Sequence, residues 1–258
     1  MYLIIATLLI ILVAVSAIPT SFNDKKTQKI YKVKIRDKDL LFNPLLSPLA
    51  KIYKKELGGK NATGATILED GISAFIARAA FSRLATKTIE VQTYIYKNDK
   101  TSKILIHELK AAADRGVKVR ILVDDHGMDS DISDMMMLDF HPNIEVKVFN
   151  TFKYRRKLTR FFQLLFDFKR LNSRMHNKLF IVDGIAVIIG GRNIADSYFY
   201  PQKAVNFSDT DVLFLGNIAK EALQSFNKYW KYHLSVPACV FPRRKILFRK
   251  SKIQQNTE

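Results

Sequence analysis

The chain has 258 residues, which suits one main domain with extensions, and its 48% hydrophobic content is ample for a packed core. A formal net charge of +18 favours anionic partners, whether nucleic acid, anionic lipid head groups or phosphorylated substrates. The single cysteine, Cys239, excludes an intramolecular disulfide, and no cysteine–histidine cluster has the spacing of a zinc site.

Residues 2–18 are apolar apart from Thr7 and Ser16, and Pro19 closes the run. That length lies at the short end of what spans a bilayer, and Val15-Ser16-Ala17 fits the small-residue rule for signal cleavage. No Lys or Arg precedes the run, while Lys25, Lys26 and Lys29 follow it. By the positive-inside rule this favours an uncleaved anchor with a cytoplasmic body, with a cleaved secretory signal as the near alternative and a buried helix as the third. Residues 21–66 are basic and weakly periodic, with a turn at Gly58-Gly59-Lys60-Asn61, and read as a linker with short local elements.

Residues 70–86 set Ile72, Phe75, Ile76, Ala79, Ala80 and Leu84 at helical spacing. Residues 88–96 are rich in β-branched and aromatic types, the pattern of a buried strand. Residues 102–115 form a second helix, stopped by Gly116. A strand over 117–123 runs into Asp124-Asp125-His126-Gly127. A short helix over 131–140 carries Met135, Met136 and Met137 as core filling, and His141-Pro142-Asn143 ends it before a strand at 144–149. This alternation predicts an α/β fold with a mixed, mostly parallel sheet flanked by helices, behind an N-terminal apolar helix.

Residues 153–174 break the pattern. Lys153, Arg155, Arg156, Lys157, Arg160, Lys169, Arg170 and Arg174 stand against one acid, Asp167, with Phe152, Phe161, Phe162, Phe166 and Phe168 interleaved. Phenylalanine beside arginine suits an anionic membrane interface; a nucleic-acid patch is the weaker reading and a solvated loop the plain one. Two apolar runs, 179–182 and 186–189, join through Asp183-Gly184, a hairpin signal. A strand at 212–215 and a helix at 218–232 follow, then an unpatterned basic tail. The domain reading is 1–20 as anchor or signal, 21–66 as linker, 67–236 as the folded domain and 237–258 as tail, with no internal repeat.

The chemistry gathers around the strand at 179–182. Side chains alternate along a strand, so His176 and Lys178 point the same way. A histidine can attack as a nucleophile or donate a proton near neutral pH, and a lysine beside it supplies fixed positive charge for a phosphoryl oxygen. Asn193 adds a neutral donor after Gly190-Gly191, where glycine permits close approach of backbone and ligand. Asp183 is placed to orient the histidine or a basic partner. The constellation binds phosphate and moves protons with no metal or other cofactor. Asp124-Asp125-His126 fits a strand-end loop beside the pocket better than a metal site.

The pattern H-x-K-x4-D-x6-G-x-x-N, met by His176, Lys178, Asp183, Gly190 and Asn193, resembles the signature of the phospholipase D superfamily. Flanking stretches are similar to the bacterial cardiolipin synthase C-like branch: Ile72-Ser-Ala-Phe-Ile76, the segment from Ala112 to Arg120, His141-Pro-Asn-Ile-Glu145, the segment from Arg174 to Gly184, and Gly190-Gly-Arg-Asn-Ile194. Gly191 stands where the commoner pattern has a serine, so a hydroxyl contact to substrate is missing there. The resemblance implies that one histidine attacks phosphorus to form a phosphohistidine while a second motif's histidine protonates the leaving alcohol. It makes Lys178 and Asn193 the phosphate holders and Asp183 a supporting residue. It also implies an anionic glycerophospholipid substrate, a membrane-associated place at a bacterial cell envelope, or a periplasmic or secreted one after cleavage. His107, His126, His141 and His233 lack the lysine and aspartate spacing, so the chain holds one motif. A homodimer or a second motif-bearing chain would complete the site. The competing readings are a homodimeric, metal-independent nuclease and an inactive truncated fragment.

Overall fold

The computed structural model describes residues 34–41, 43–44, 47–58, 62–128, 133–152, 163, 166–200 and 207–238. The N-terminal apolar run, most of the basic-aromatic segment and the C-terminal tail lie outside them. No helix among the described residues is long and apolar enough to cross a membrane.

In chain order the elements are helix α1 (Pro48–Leu57), strand β1 (Thr63–Leu68), helix α2 (Gly71–Leu84), β2 (Thr88–Tyr96), α3 (Lys100–Asp114), β3 (Lys118–Met128), α4 (Ser133–Leu138), β4 (Ile144–Phe149), α5 (Phe168–Asn172), β5 (Leu179–Val182), β6 (Ala186–Gly190), α6 (Asp196–Phe199), β7 (Asp211–Gly216), α7 (Asn217–Lys231) and β8 (Ser235–Pro237). They build one eight-stranded sheet in the order β1-β7-β6-β5-β2-β3-β4-β8. The β2–β3 and β3–β4 pairs are parallel; the other five are antiparallel. The sheet is therefore mixed but mostly antiparallel, which corrects the expected mostly parallel one. The alternation of strand and helix ends at β4; β5 and β6 then form a tight hairpin, which can only pair antiparallel, and β7, returning after α6, pairs antiparallel with both β6 and β1.

The two faces of the sheet carry different cores. On one, Ile89, Val91, Val119, Ile121, Val123 and Val148 pack against Leu105, Leu109 and Ala112 of α3. On the other, Leu122, Leu179, Ile181 and Val187 meet Ala219, Ala222, Phe226 and Trp230, spaced three and four apart along α7. Asp70 and Asp99 cap α2 and α3 by accepting the Ser73 and Ser102 amides. Part of the stretch read as a linker belongs to this fold: β1 is the edge strand beside β7, and Leu49, Ala50 and Tyr53 of α1 are buried.

Helix α2 packs differently from its apolar pattern. It buries Ala74, Arg78 and Ser82, while Ile72 and Ile76 are 57% and 59% exposed. Arg78 decides this, because its guanidinium donates to the fully buried Asp211 at 2.9 Å. Turning the isoleucines inward would take from that carboxylate its nearer cation, leaving Arg192 at 3.7 Å, and would bury the guanidinium without its partner; that costs more than exposing two aliphatic side chains.

Candidate active site

The site lies where β2 and β3 end and β5 begins. An extended segment leads from α5 into β5, so His176 and Lys178 fall on one side. The Lys178 Nζ lies 2.9 Å from His176 Nδ1 and 3.1 Å from Nε2, and donates to the His176 carbonyl at 2.8 Å. His176 is exposed; Lys178 is buried. Burial pushes the Lys178 ammonium below the ordinary lysine range, and the Asp209 carboxylate pulls it partly back. An exposed imidazole over a half-desolvated cation is chemically able to hold an anionic group: the cation's field is strong because few waters screen it. The Tyr94 ring closes one side, 5.0 Å from the His176 ring and 5.9 Å from the Lys178 ammonium.

Asn193 sits at the neighbouring strand end. The chain after β6 zips onto the end of β2 through Ile194 N–H to Ile95 O at 3.1 Å and Lys97 N–H to Ile194 O at 3.0 Å. Asn193 Oδ1 accepts the Ile95 amide at 2.9 Å, and its Nδ2 donates to the Tyr198 hydroxyl at 3.0 Å. The bond to Ile95 falls where the β2–β3 register shifts, so Asn193 also fixes the bulge that carries Tyr94.

Gly190 and Gly191 allow close approach, but to the chain itself. A Cβ on Gly190 would stand 2.4 Å from the Thr210 carbonyl, and one on Gly191 would stand 2.2 Å from Asp209 Oδ1. A carboxylate thus fills the space beside Gly191 where a serine side chain would begin.

Asp183 is not brought to His176. It terminates β5, a strand's length away, roughly 20 Å along the chain at about 3.3 Å per residue. Its fully buried carboxylate accepts the amides of Thr86, Lys87 and Thr88 at 3.0, 2.8 and 2.9 Å, and the hydroxyls of Ser47 and Thr86 at 2.6 and 2.9 Å. The expected orientation of the histidine is therefore replaced by a clamp on the turn before β2 and on the start of α1. Asp183 and Gly184 both have positive φ, 50° and 59°, and Ile185 N–H bonds Val182 O at 3.1 Å, closing the primed turn that the hairpin signal predicts.

The residue that steadies the approach to His176 is Asp124. It accepts the Met175 amide at 3.1 Å, the Arg174 guanidinium at 3.1 Å and the His126 amide at 2.8 Å. Burial raises its pKa and Arg174 opposes that shift. Tyr94, Asp124 and Asp209 carry no local motif. Their one shared sign is position at the end of an apolar strand or the start of the next, where functional groups gather in sheets of this kind.

A family described as "Cardiolipin synthase, PLD-like domain" matches residues 81–230, and the chain belongs to that phospholipase D-like family. Cardiolipin synthase C of Escherichia coli (strain K12) is 43% identical over 163 residues, covering 63% of this chain and 34% of that protein. An uncharacterised protein of Helicobacter pylori is 47% identical over 224 residues, covering 86% of this chain and 45% of its own. The chain thus spans less than half the length of these relatives. Among solved structures, phosphatidylserine synthase from Haemophilus influenzae Rd KW20 shares the fold, with a TM-score of 0.51 at 14% identity over 74% of this chain and 42% of that one.

Proposed function

We propose that this chain carries one half of a phosphodiester-transferring site that acts on anionic glycerophospholipid. The observation that carries the reading is the Lys178 ammonium held within 2.9 Å of an exposed His176 in a cardiolipin synthase-type domain. In the reaction, a His176 ring nitrogen attacks phosphorus, the bond to the leaving alcohol breaks, and a phosphohistidine forms. A second motif's histidine gives that alcohol its proton, then takes one from the water or acceptor alcohol that releases the phosphoryl group. Lys178 holds a phosphoryl oxygen; Asn193 has a second amide hydrogen beyond the one given to Tyr198 and directs it to the same group. Asp183 acts through the fold. The second motif comes from a second copy of this chain or from a partner chain, and the N-terminal apolar run serves as membrane anchor or signal.

Incubation with phosphatidylglycerol vesicles in EDTA, read by thin-layer chromatography, tests this. Release or transfer of the head group by wild type and its loss in His176→Ala supports the reading; no product from a dimer shown by light scattering sinks it. The net charge of +18 also suits a nucleic-acid phosphodiester, and plasmid cleavage in the same buffer without lipid turnover would move the assignment there.

A further inference from the structure

Phe149, Tyr229, Tyr232 and Leu234 wall a cavity of about 360 Å³ beside the end of α7, completed by Ser173, Arg174 and Lys228. The fold builds this wall. Strand β8 pairs with the end of β4, placing Ser235 opposite Phe149, and the Asn150 N–H donates to the Leu234 carbonyl at 2.9 Å. The Ser235 hydroxyl donates to the Tyr229 carbonyl. The Phe149 ring meets Tyr229 edge to face at 5.6 Å and lies 28° from the plane of Tyr232 at 6.1 Å. No acid stands among the described lining residues, and Lys228 is exposed, with no ion pair among the described residues. The Arg174 side chain is only 12% exposed. Its Nη1 donates to Asp124 Oδ1 at 3.1 Å and to the Asn150 carbonyl at 2.9 Å, while Nε and Nη2 are buried and bond nothing among the described residues. A guanidinium carries five donors, and buried ones left unpaired are costly, so this one is short of an acceptor.

We infer that this cavity binds a single-chain anionic amphiphile, with its acid group at Arg174 and Lys228 and its chain along Phe149, Tyr229, Tyr232 and Leu234. Asp124 balances the Arg174 charge, so Lys228 supplies the net attraction and Arg174 the spare donors. The volume lies near the small end for small-molecule sites, which gives room for one acyl chain rather than a diacyl lipid. The rings touch one another, so no gap between them admits a sandwiched base, and this favours a chain over a nucleotide. Ser173 and Arg174 stand just before His176 in the chain, yet the site needs none of the transfer chemistry proposed above.

Trp230, the single tryptophan, packs in the same apolar cluster as Phe149 and reports on the cavity by short-range quenching. The full chain is titrated with ω-bromododecanoate and with ω-bromododecanol, which keeps the chain and the bromine and lacks the charge. The acid should quench Trp230 saturably and bind at least about tenfold more tightly than the alcohol, the worth of a hydrogen bond to a charged group. Lys228→Gln should weaken the acid about fivefold, the upper end for an exposed ion pair, and leave the alcohol unchanged. Lys228→Arg should restore it; the side chain is exposed, so neither change disturbs the fold. Inorganic phosphate and AMP in large excess should leave the quenching in place. Equal binding of acid and alcohol, or an acid affinity indifferent to Lys228→Gln, overturns the site. Displacement by phosphate or by AMP also overturns it, in favour of a bare-anion or a nucleotide site. Turnover is not measured, so failure here leaves the lipid-transfer reading standing, and failure of that reading leaves this site.

Discussion

Replacing Asp183 separates a structural from a catalytic role for the motif's aspartate. Asp183→Ala removes an acceptor from three backbone amides and two hydroxyls. The hydroxyls can rotate, and the Thr86 and Lys87 residues are exposed enough for water to replace the lost bonds. Thr88 is buried, so its amide bears an unsatisfied cost of about 1–3 kcal/mol. Alanine at a φ of 50° adds about 1–2 kcal/mol of backbone strain. The loss is about 2–5 kcal/mol, a fall in Tm of about 5–20 °C for a domain of this size. Asp183→Asn keeps one oxygen for Lys87 and Thr88 and tolerates positive φ, so it should lose only about 1 kcal/mol. Urea unfolding followed by circular dichroism measures both. Turnover per folded molecule should stay near wild type in the asparagine variant. If Asp183→Ala keeps its Tm and loses turnover, the clamp reasoning is wrong and the carboxylate acts in the chemistry.

His176→Ala should abolish turnover by several orders of magnitude while leaving Tm unchanged, because the side chain is exposed. Burial lowers the Lys178 pKa, so its charge is lost at a pH below the ordinary 10.5; KM should rise there as the phosphate loses its cation, and a KM flat to pH 10.5 would contradict this. Gly190→Ala meets backbone at Thr210 and should cost about 1–3 kcal/mol, whereas Gly191→Ser meets only side-chain atoms of Asp209, which must swing aside, and should cost less than the Gly190 change by urea midpoint. Arg120→Met strips the partner, bound at 3.0 Å, from the buried Glu90 and should cost about 3–5 kcal/mol. Burial raises the Glu90 pKa, so the native variant binds the extra proton and its stability should rise as pH falls, a trend that pH-dependent urea midpoints would show.

Strands β2 and β4 are legible to the residue because their β-branched runs end in turn-forming types, and Gly116 ends α3 as its freedom at φ 98° allows. Strand direction is not legible there, since a run buried on both faces looks the same beside a parallel or an antiparallel neighbour. β1 hides for the opposite reason: Thr63-Gly-Ala-Thr-Ile-Leu68 is an edge strand, mostly exposed, with no alternation to read. The exposed Ile72 and Ile76 mislead because the burial of α2 is set by the distant Asp211. In the site, the two-residue spacing of His176 and Lys178 carries the contact by itself. Tyr94 reaches it from β2 and Asp209 from the segment before β7, so only the topology assembles them, whereas Asp124-Asp125-His126 is legible as a segment beside the pocket. Asp183 keeps its place in the motif but serves the far end of the strand.

The Asp183 clamp also bears on how the molecule is put together in time. Its bond to Ser47 joins residues 136 apart in sequence, and β1 can enter the sheet only after β7 has been made and laid against β6. Contacts of such long range carry a large loop-closure cost and form late. The parallel trio β2–β3–β4 can collapse early around α3 and receive β5 beside β2, whereas the Ser47 contact to Asp183 waits until the two ends of the domain meet. A nascent chain therefore gains its core before the last contact to the hairpin that follows His176 is made.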